Sequence, residues 1–148
     1  MPVKYRMEDK YLLMSQINAA LLMIRIASGL AFLYHGSAIL FGAFGGPGPQ
    51  GFAAFGHMPL VVAYLVGLAQ VAGGLAVLIG LLTRVGPICI IIVMLGAIFL
   101  VHLPHGFDIG KGGFEYALTQ LLIAVALLLA GPGAYSVGAG LPGKQQKL

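Results

Sequence analysis

Six polar residues lie within or beside long apolar runs of this 148-residue sequence, and their types could bind a small redox-active molecule. They are Arg25, His35, Gln70, Glu115, Tyr116 and Gln120. A quinone head group needs an amphipathic pocket, hydrogen-bond donors for its carbonyl oxygens and a path for protons. Imidazole, phenol and amide groups supply such donors, and carboxylates accept protons. The side chains that we predict to meet these needs are those of His35, Glu115, Tyr116 and Gln120.

Metal binding is the second chemistry that the residue types allow. His102 and His105 are three residues apart, and His35 and Glu115 could complete a four-ligand site of the zinc type. Pro104 lies between the two histidines, which favours a loop or a helix end over a helical pair. The HxxH spacing alone indicates little, and the CxxCH haem-attachment motif is absent. We therefore do not expect a metal or haem site.

Each polar residue also has a purely structural interpretation. Arg25 could extend to the membrane surface or make a structural polar contact. Gln70 and Gln120 could join helices through hydrogen bonds worth about 0.6 kcal/mol each. His35 could bond a single backbone carbonyl, and Glu115 could stabilise a helix N-terminus. These alternatives stay open beside the functional ones.

The composition places these residues in a membrane protein. Hydrophobic residues make up 59% of the chain and charged residues 8%, with a mean hydropathy of +0.99. An average soluble domain contains about 25% charged residues, so this chain cannot cover a soluble surface with charge. A soluble enzyme is excluded, and so is a disordered chain, which needs high charge and low hydrophobicity.

Four apolar segments are long enough, or nearly so, to cross a bilayer as helices of roughly 20 residues. The predicted spans cover residues 17–41, 60–82, 85–103 and 114–130. The last two are the shortest, so a re-entrant hairpin is the alternative for each. The expected fold is all-α, an integral membrane four-helix bundle over residues 17–133. An N-terminal segment, 1–16, precedes it and a tail, 134–148, follows it.

Basic residues predict which side of the membrane each end faces. The side that both termini share holds Lys4, Arg6, Lys10, Arg84, Lys144 and Lys147. The loops on the opposite side, 42–59 and 102–113, hold only Lys111. Because basic residues favour the cytoplasmic side, both termini are predicted to be cytoplasmic.

The rise of an α-helix predicts how deep each polar residue lies. Arg25 is expected roughly 12 Å from the cytoplasmic edge of the first span, and Gln70 near the middle of the second. His35 and Gln120 are expected about 9 Å below the outer edge. These residues would form a polar path that opens outward, with the loop histidines at its mouth.

Rows of small residues at helical spacing predict where the helices pack closely. One row on the second span contains Ala72, Ala76 and Gly80. A second contains Ala69 and Gly73, and a row on the first span contains Ala27 and Ala31. Chance is the alternative explanation, because alanine and glycine are abundant in this sequence.

The sequence resembles the DoxX family of small four-helix bacterial membrane proteins. The resemblance covers residues 20–136 and is clearest in four stretches: RIASGLAFLYHG from Arg25, GLAQVAGGLAVLIGLLTR from Gly67, MLGAIFLVHLPHG from Met94 and GFEYA from Gly113. It implies a bundle in the bacterial cytoplasmic membrane that is associated with oxidoreductase systems. It also implies that Arg25, His35 and Glu115 belong to the family pattern.

The sequence departs from this pattern at one position. The family commonly has a glutamate in the middle of the second span, where this chain has Gln70. A glutamate there could neutralise Arg25, whereas glutamine carries no charge. An ion pair or proton relay between positions 25 and 70 is therefore in doubt for this chain.

The leading functional hypothesis is a membrane subunit of a periplasm-facing redox assembly, linked to quinone reduction. Other membrane or periplasmic subunits, or a second copy of the chain, are the expected partners. The alternative is a non-catalytic accessory subunit of a larger membrane complex. A small-solute transporter is a weaker alternative, because no internal repeat is visible. No nucleic-acid partner is expected, since the basic residues form no stripe.

Overall fold

The computed structural model describes residues 6–82 and 84–140, and the regular elements in these ranges are all helical. The α-helices are α1 (Met7–Phe41), α2 (Gly48–Phe55), α3 (Leu60–Ile79), α4 (Val85–Gly96) and α5 (Glu115–Ala130). Helix α4 continues through a wider π turn, Ala97–His102, and a short 3₁₀ turn, Leu103–His105. Three of the basic residues that predict orientation, Lys4, Lys144 and Lys147, lie outside the described residues.

Among the described residues, three helices are long and apolar enough to cross a membrane. They are α1, α3 and the continuous helix Val85–His105. Helix α5 is also apolar but has 16 residues, about 24 Å of helix against a hydrocarbon core of about 30 Å. The all-helical, membrane-type fold is therefore confirmed, while the fourth span and the side that each terminus faces stay predictions.

The first helix begins at Met7, well before the predicted span at residue 17. The Asp9 carboxylate accepts a hydrogen bond of 3.2 Å from the Arg6 backbone N–H, which closes the first turn. Glu8 and Asp9 also place negative charge at the positive end of the helix dipole. Hydropathy alone does not predict that the helix begins here, because Glu8, Asp9 and Lys10 are polar.

Helices α1 and α3 pack antiparallel with their backbones in close approach at glycines. A Cβ atom on Gly29 would lie 2.8 Å from the Leu78 Cβ, and one on Gly36 would lie 2.8 Å from the Gln70 Cβ. Contacts between real Cβ atoms are longer than this, so no larger residue fits without a shift. Lipid does not drive apolar helices together, so this close packing holds the pair.

Only some members of the small-residue rows expected from the sequence form close helix contacts. Ala27 is exposed and Ala31 only half-buried, so their row does not form the main α1 contact. On α3, Gly73 and Ala76 pack against α4, where a Cβ on Gly86 would lie 3.0 Å from the Ala76 Cβ. A row of small residues allows close packing only where the helix turns it toward a neighbour, and spacing does not give that rotation.

The helices form a bundle in the order α1, α3, α4, α5, with α2 lying across α1 and α3. Its core contains Phe32, Val77, Ile90, Met94, Ile98, Ala117, Ala124 and Leu127. Helix α1 packs along much of α3 but meets α5 at few points. The contact between α1 and α5, called the α1–α5 seam below, is therefore the least extensive contact between neighbouring long helices of the bundle.

Candidate functional site

Arg25 is buried at the end of the bundle where α3 and α5 finish. Only 3% of the residue is exposed. Its Nε–H donates to the Val77 carbonyl at 2.9 Å, and its Nη2 donates to the Leu78 carbonyl at 2.8 Å. Its Nη1 donates to the carbonyls of Pro132 and Tyr135, both at 2.8 Å. The guanidinium therefore joins α1 to two other parts of the chain.

Backbone dipoles, not a carboxylate, balance the charge of Arg25. The last carbonyls of a helix have no partner inside the helix and carry the negative end of its dipole. The chain has four acidic residues, Glu8, Asp9, Asp108 and Glu115, and none of them bonds Arg25. The arginine thus makes a structural polar contact instead of extending to the surface.

Gly80 makes room for this contact. It ends α3 in the left-handed conformation, with φ +69°, and the Leu81 N–H donates to the Ala76 carbonyl at 3.0 Å. A Cβ atom on Gly80 would lie 2.8 Å from the Arg25 Cζ. Backbone conformation and close approach therefore both require glycine here.

Residues 131–140, called the terminal strap, cross this end of the bundle. The Ala134 N–H donates to the Asn18 Oδ1 at 2.9 Å, and the Gly138 N–H donates to the Gly80 carbonyl at 3.1 Å. Together with the hydrogen bonds from Arg25 to the Pro132 and Tyr135 carbonyls, these bonds hold the strap against α1 and α3. Residues from 134 onward, which the sequence predicts to be a tail, therefore pack on the bundle as far as Gly138.

His35 and Tyr116 face each other across the α1–α5 seam. Their ring centroids are 5.9 Å apart, and His35 is exposed. The neighbouring Tyr34 ring meets His35 edge-on at 5.4 Å and stacks on Phe44 at 4.8 Å. The seam therefore combines an accessible imidazole and a phenol with apolar aromatic surface.

Deeper in the seam, Ser28 and Gln120 form a buried hydrogen bond. The Ser28 Oγ donates to the Gln120 Oε1 at 2.9 Å. Ser28 lies two turns from His35 on α1, and Gln120 lies one turn from Tyr116 on α5, so each pair shares a helix face. The bond fixes the amide and leaves its NH₂ group as a donor. Sequence reasoning missed Ser28, although its seven-residue spacing from His35 was a usable signal.

Gln70 is not brought to this seam. Only 6% of it is exposed, and its Cβ lies in the contact between α1 and α3 beside Gly36. Arg25 lies three turns from Gly36 along α1, and it contacts the last turn of α3. The structure therefore divides the predicted polar path into the seam, the buried Gln70 and the Arg25 contact.

Glu115 holds the loop that precedes α5. Its Oε2 accepts a hydrogen bond of 3.3 Å from the Ile109 N–H, and its own N–H donates to the Phe107 carbonyl at 3.0 Å. The carboxylate thus closes a loop at the helix N-terminus, as its structural interpretation anticipates.

The two loop histidines bond backbone carbonyls. His102 Nδ1 lies 2.7 Å from the Gly112 carbonyl, and His105 Nδ1 lies 3.1 Å from the Val101 carbonyl. Within residues 6–82 and 84–140, no three His, Cys, Asp or Glu side chains are grouped to hold a metal ion. The weak metal candidates His35, His102, His105 and Glu115 therefore do not converge.

Comparison with known proteins identifies the family. The DoxX family model matches residues 20–103. The chain is 33% identical over 110 residues to CatD of Bacillus subtilis, whose name provisionally classes it as an oxidoreductase, covering 74% of this chain and 78% of CatD. It is 35% identical over 132 residues to the membrane protein Rv3486 of Mycobacterium tuberculosis, covering 80% of this chain and 78% of that protein. No solved structure matches significantly. The chain is a member of the DoxX family of membrane proteins.

Proposed function

We propose that this protein is the membrane subunit of a redox assembly and that its α1–α5 seam binds the head group of a quinone. One observation carries the proposal. His35 and Tyr116 face each other where α1 and α5 have few contacts, with their ring centroids 5.9 Å apart. We expect a lipid-soluble ligand to enter from the side between two apolar helices whose contact is this sparse.

The residues of the seam fit the chemistry of a quinone. Its carbonyl oxygens accept hydrogen bonds, which the His35 imidazole, the Tyr116 hydroxyl and the Gln120 amide can donate. Phe44 and Tyr34 offer aromatic surface beside these donors. Ligand sites typically combine apolar walls with a few polar groups that fix orientation, and the seam has both.

A bound quinone would accept two electrons and two protons. Both protons come from water at the mouth of the seam, and His35 can relay them in turn, because an imidazole can accept a proton and donate one. The electrons must come from a reduced partner, since the chain has a single cysteine, Cys89, and no cofactor-binding motif. The oxidoreductase name of the relative CatD supports this assignment.

The proposal includes a membrane orientation. All four long helices cross a bacterial inner membrane, with α5 as the shortest span and both termini in the cytoplasm. The exposed basic residues Arg6, Lys10 and Arg84 support it, because they fall on the side of the termini. The mouth of the seam then faces the periplasm.

A quinone-binding measurement tests the proposal. The purified protein would be placed in nanodiscs, and binding of a short-chain quinone would be measured by equilibrium titration. His35→Asn replaces the imidazole with a shorter amide, which holds its N–H donors closer to the helix backbone, and Tyr116→Phe removes the hydroxyl donor, so each should weaken binding. His57→Asn and Tyr64→Phe make the same chemical changes at exposed positions away from the seam and should bind normally. Equal binding by all four variants would contradict the proposal.

A non-catalytic accessory subunit is the second candidate function. Large apolar residues are exposed at the end of the bundle that carries Glu115, including Phe41 at 70% and Phe55 at 74%. Such residues suit contact with another membrane subunit. Removing the chain would then reduce the assembly of its partner complex, whereas the redox role predicts an assembled complex with reduced quinone turnover.

A further inference from the structure

We infer that the bundle is closed at the end where Arg25 lies, so that water and solutes reach its buried polar groups only from the opposite end. These two ends are called the Arg25 end and the Glu115 end. The inference concerns access to Ser28 and Gln120. It does not depend on whether a quinone binds.

The guanidinium of Arg25 forms the centre of the closure. It is 3% exposed and bonds the carbonyls of Val77 and Leu78 on α3 and of Pro132 and Tyr135 on the strap. It therefore fills the space between α1, α3 and the chain that follows α5. A fixed positive charge in a narrow passage also repels cations and protons.

The terminal strap covers the same end from outside. It is fastened to Asn18 on α1 and to Gly80 at the end of α3. The cavity that remains beside Arg25 is about 10 Å³, which is room for about one water molecule. Its other walls are mainly apolar and include Val77, Pro87 and Leu127. The packing around Arg25 therefore leaves little room for water.

The Glu115 end is built differently. Helix α2 packs on α1 and α3. His35 is exposed and Tyr116 half-buried where the seam opens, and the Ser28–Gln120 bond lies below them. Solutes and protons therefore approach this bond from the Glu115 end. A seam that is reached from one end only would not provide a transport path through the bundle.

Labelling of single cysteines from each side of the membrane tests this inference. In a Cys89→Ser background, Tyr116→Cys and Gln120→Cys would report on the seam. Arg84→Cys and Lys111→Cys, both at exposed positions, would mark the Arg25 end and the Glu115 end. A charged, membrane-impermeant thiol reagent would be applied to intact spheroplasts and to inverted vesicles. Both seam cysteines should react from the Lys111 side, and reaction from the Arg84 side should be absent.

Variants that loosen the closure complete the test. Asn18→Leu removes an anchor of the strap, and Arg25→Gln removes the guanidinium. In either background, Gln120→Cys should become reactive from the Arg84 side as well. Asn18→Leu provides the test if Arg25→Gln fails to give a monodisperse protein. Reaction from the Arg84 side without these changes, no reaction from the Lys111 side, or unchanged labelling in the folded loosened variants would each overturn the inference.

Discussion

Arg25 and Pro132 are 107 residues apart in the sequence, yet the Arg25 Nη1 donates a hydrogen bond of 2.8 Å to the Pro132 carbonyl. This bond ties the first long helix to the chain that follows the last one. The same guanidinium bonds the last turn of α3 through Val77 and Leu78. Arg25 thus connects three separate parts of the bundle at one end, and its charge is used for structure.

Replacing Arg25 should therefore lower the stability of the protein. Arg25→Met removes the guanidinium donor from four carbonyls, two in buried and two in part-buried hydrogen bonds, and we expect a loss of about 3 kcal/mol in the free energy of unfolding. The stability of Arg25→Lys should lie between that of Arg25→Met and that of the unchanged protein, because an ammonium group has three donors but carries them on one atom. A thiol-reactive dye would follow thermal unfolding in detergent, since the single Cys89 is only partly accessible in the folded protein.

Arg84→Met is the matched control. Arg84 is exposed, so its loss should leave the unfolding temperature nearly unchanged. If Arg25→Met unfolded at the same temperature as the control, the carbonyls would have to find other partners, and the structural role of Arg25 would be wrong.

Gly80→Ala and Gly45→Ala separate backbone strain from close approach. Both glycines have positive φ, +69° and +74°, so alanine should cost about 1 kcal/mol at either position. At Gly80 the alanine methyl group would lie 2.5 Å from the Ser136 Cβ and 2.8 Å from the Arg25 Cζ, whereas at Gly45 no described atom lies within 4 Å of it. Gly80→Ala should therefore lower the unfolding temperature further than Gly45→Ala. Equal shifts would show that Ser136 and Arg25 can both move aside freely.

Gly36→Ala should weaken the contact between α1 and α3. The added methyl group would lie 2.8 Å from both the Gln70 Cβ and the Val71 backbone nitrogen, so the helices must separate. We expect a loss of about 2 kcal/mol, within the range for overpacking a core. Gly96→Ala is the control, because nothing lies within 4 Å of that position and alanine favours a helix. Thermal unfolding of both variants checks the prediction, and equal stability would contradict it.

Much of the fold can be predicted from the sequence because the physics of a membrane span is local. Apolar length and Gly/Pro breaks predicted the helices and most of their bounds. Gly80 ends α3 before Leu82, the predicted end, because its left-handed conformation stops the helix. The extension to Met7 was missed, because helix formation there depends on Asp9 and not on hydropathy.

The candidate site was harder to predict, because it depends on how helices rotate and slide against each other. Counting along each span placed His35 and Gln70 at different depths, yet Gly36 and Gln70 are in contact. The same counting placed Arg25 well inside the first span, whereas it lies beside the last turn of α3. Residue spacing gives the face of one helix, but the partner of that face depends on the packing of the whole bundle.

Ser28 should act on the seam only through Gln120. Ser28→Ala removes the 2.9 Å hydrogen bond that orients the amide, so we expect a stability loss of about 0.6 kcal/mol and weaker binding of a short-chain quinone. Gln120→Leu should weaken binding more. In the Gln120→Leu background, Ser28→Ala should have no further effect on binding, because there is no amide left to orient.

Titration of the four proteins of this double-mutant cycle in nanodiscs measures the coupling between the two residues. Thr119→Ala is the matched control for losing a hydroxyl group. It lies on the exposed face of α5 next to Gln120, and its Oγ1 bonds the Glu115 carbonyl within the helix, so quinone binding should be unchanged. Additive effects of Ser28→Ala and Gln120→Leu would mean that Ser28 contacts the ligand itself or acts elsewhere, and the positioning role would be wrong.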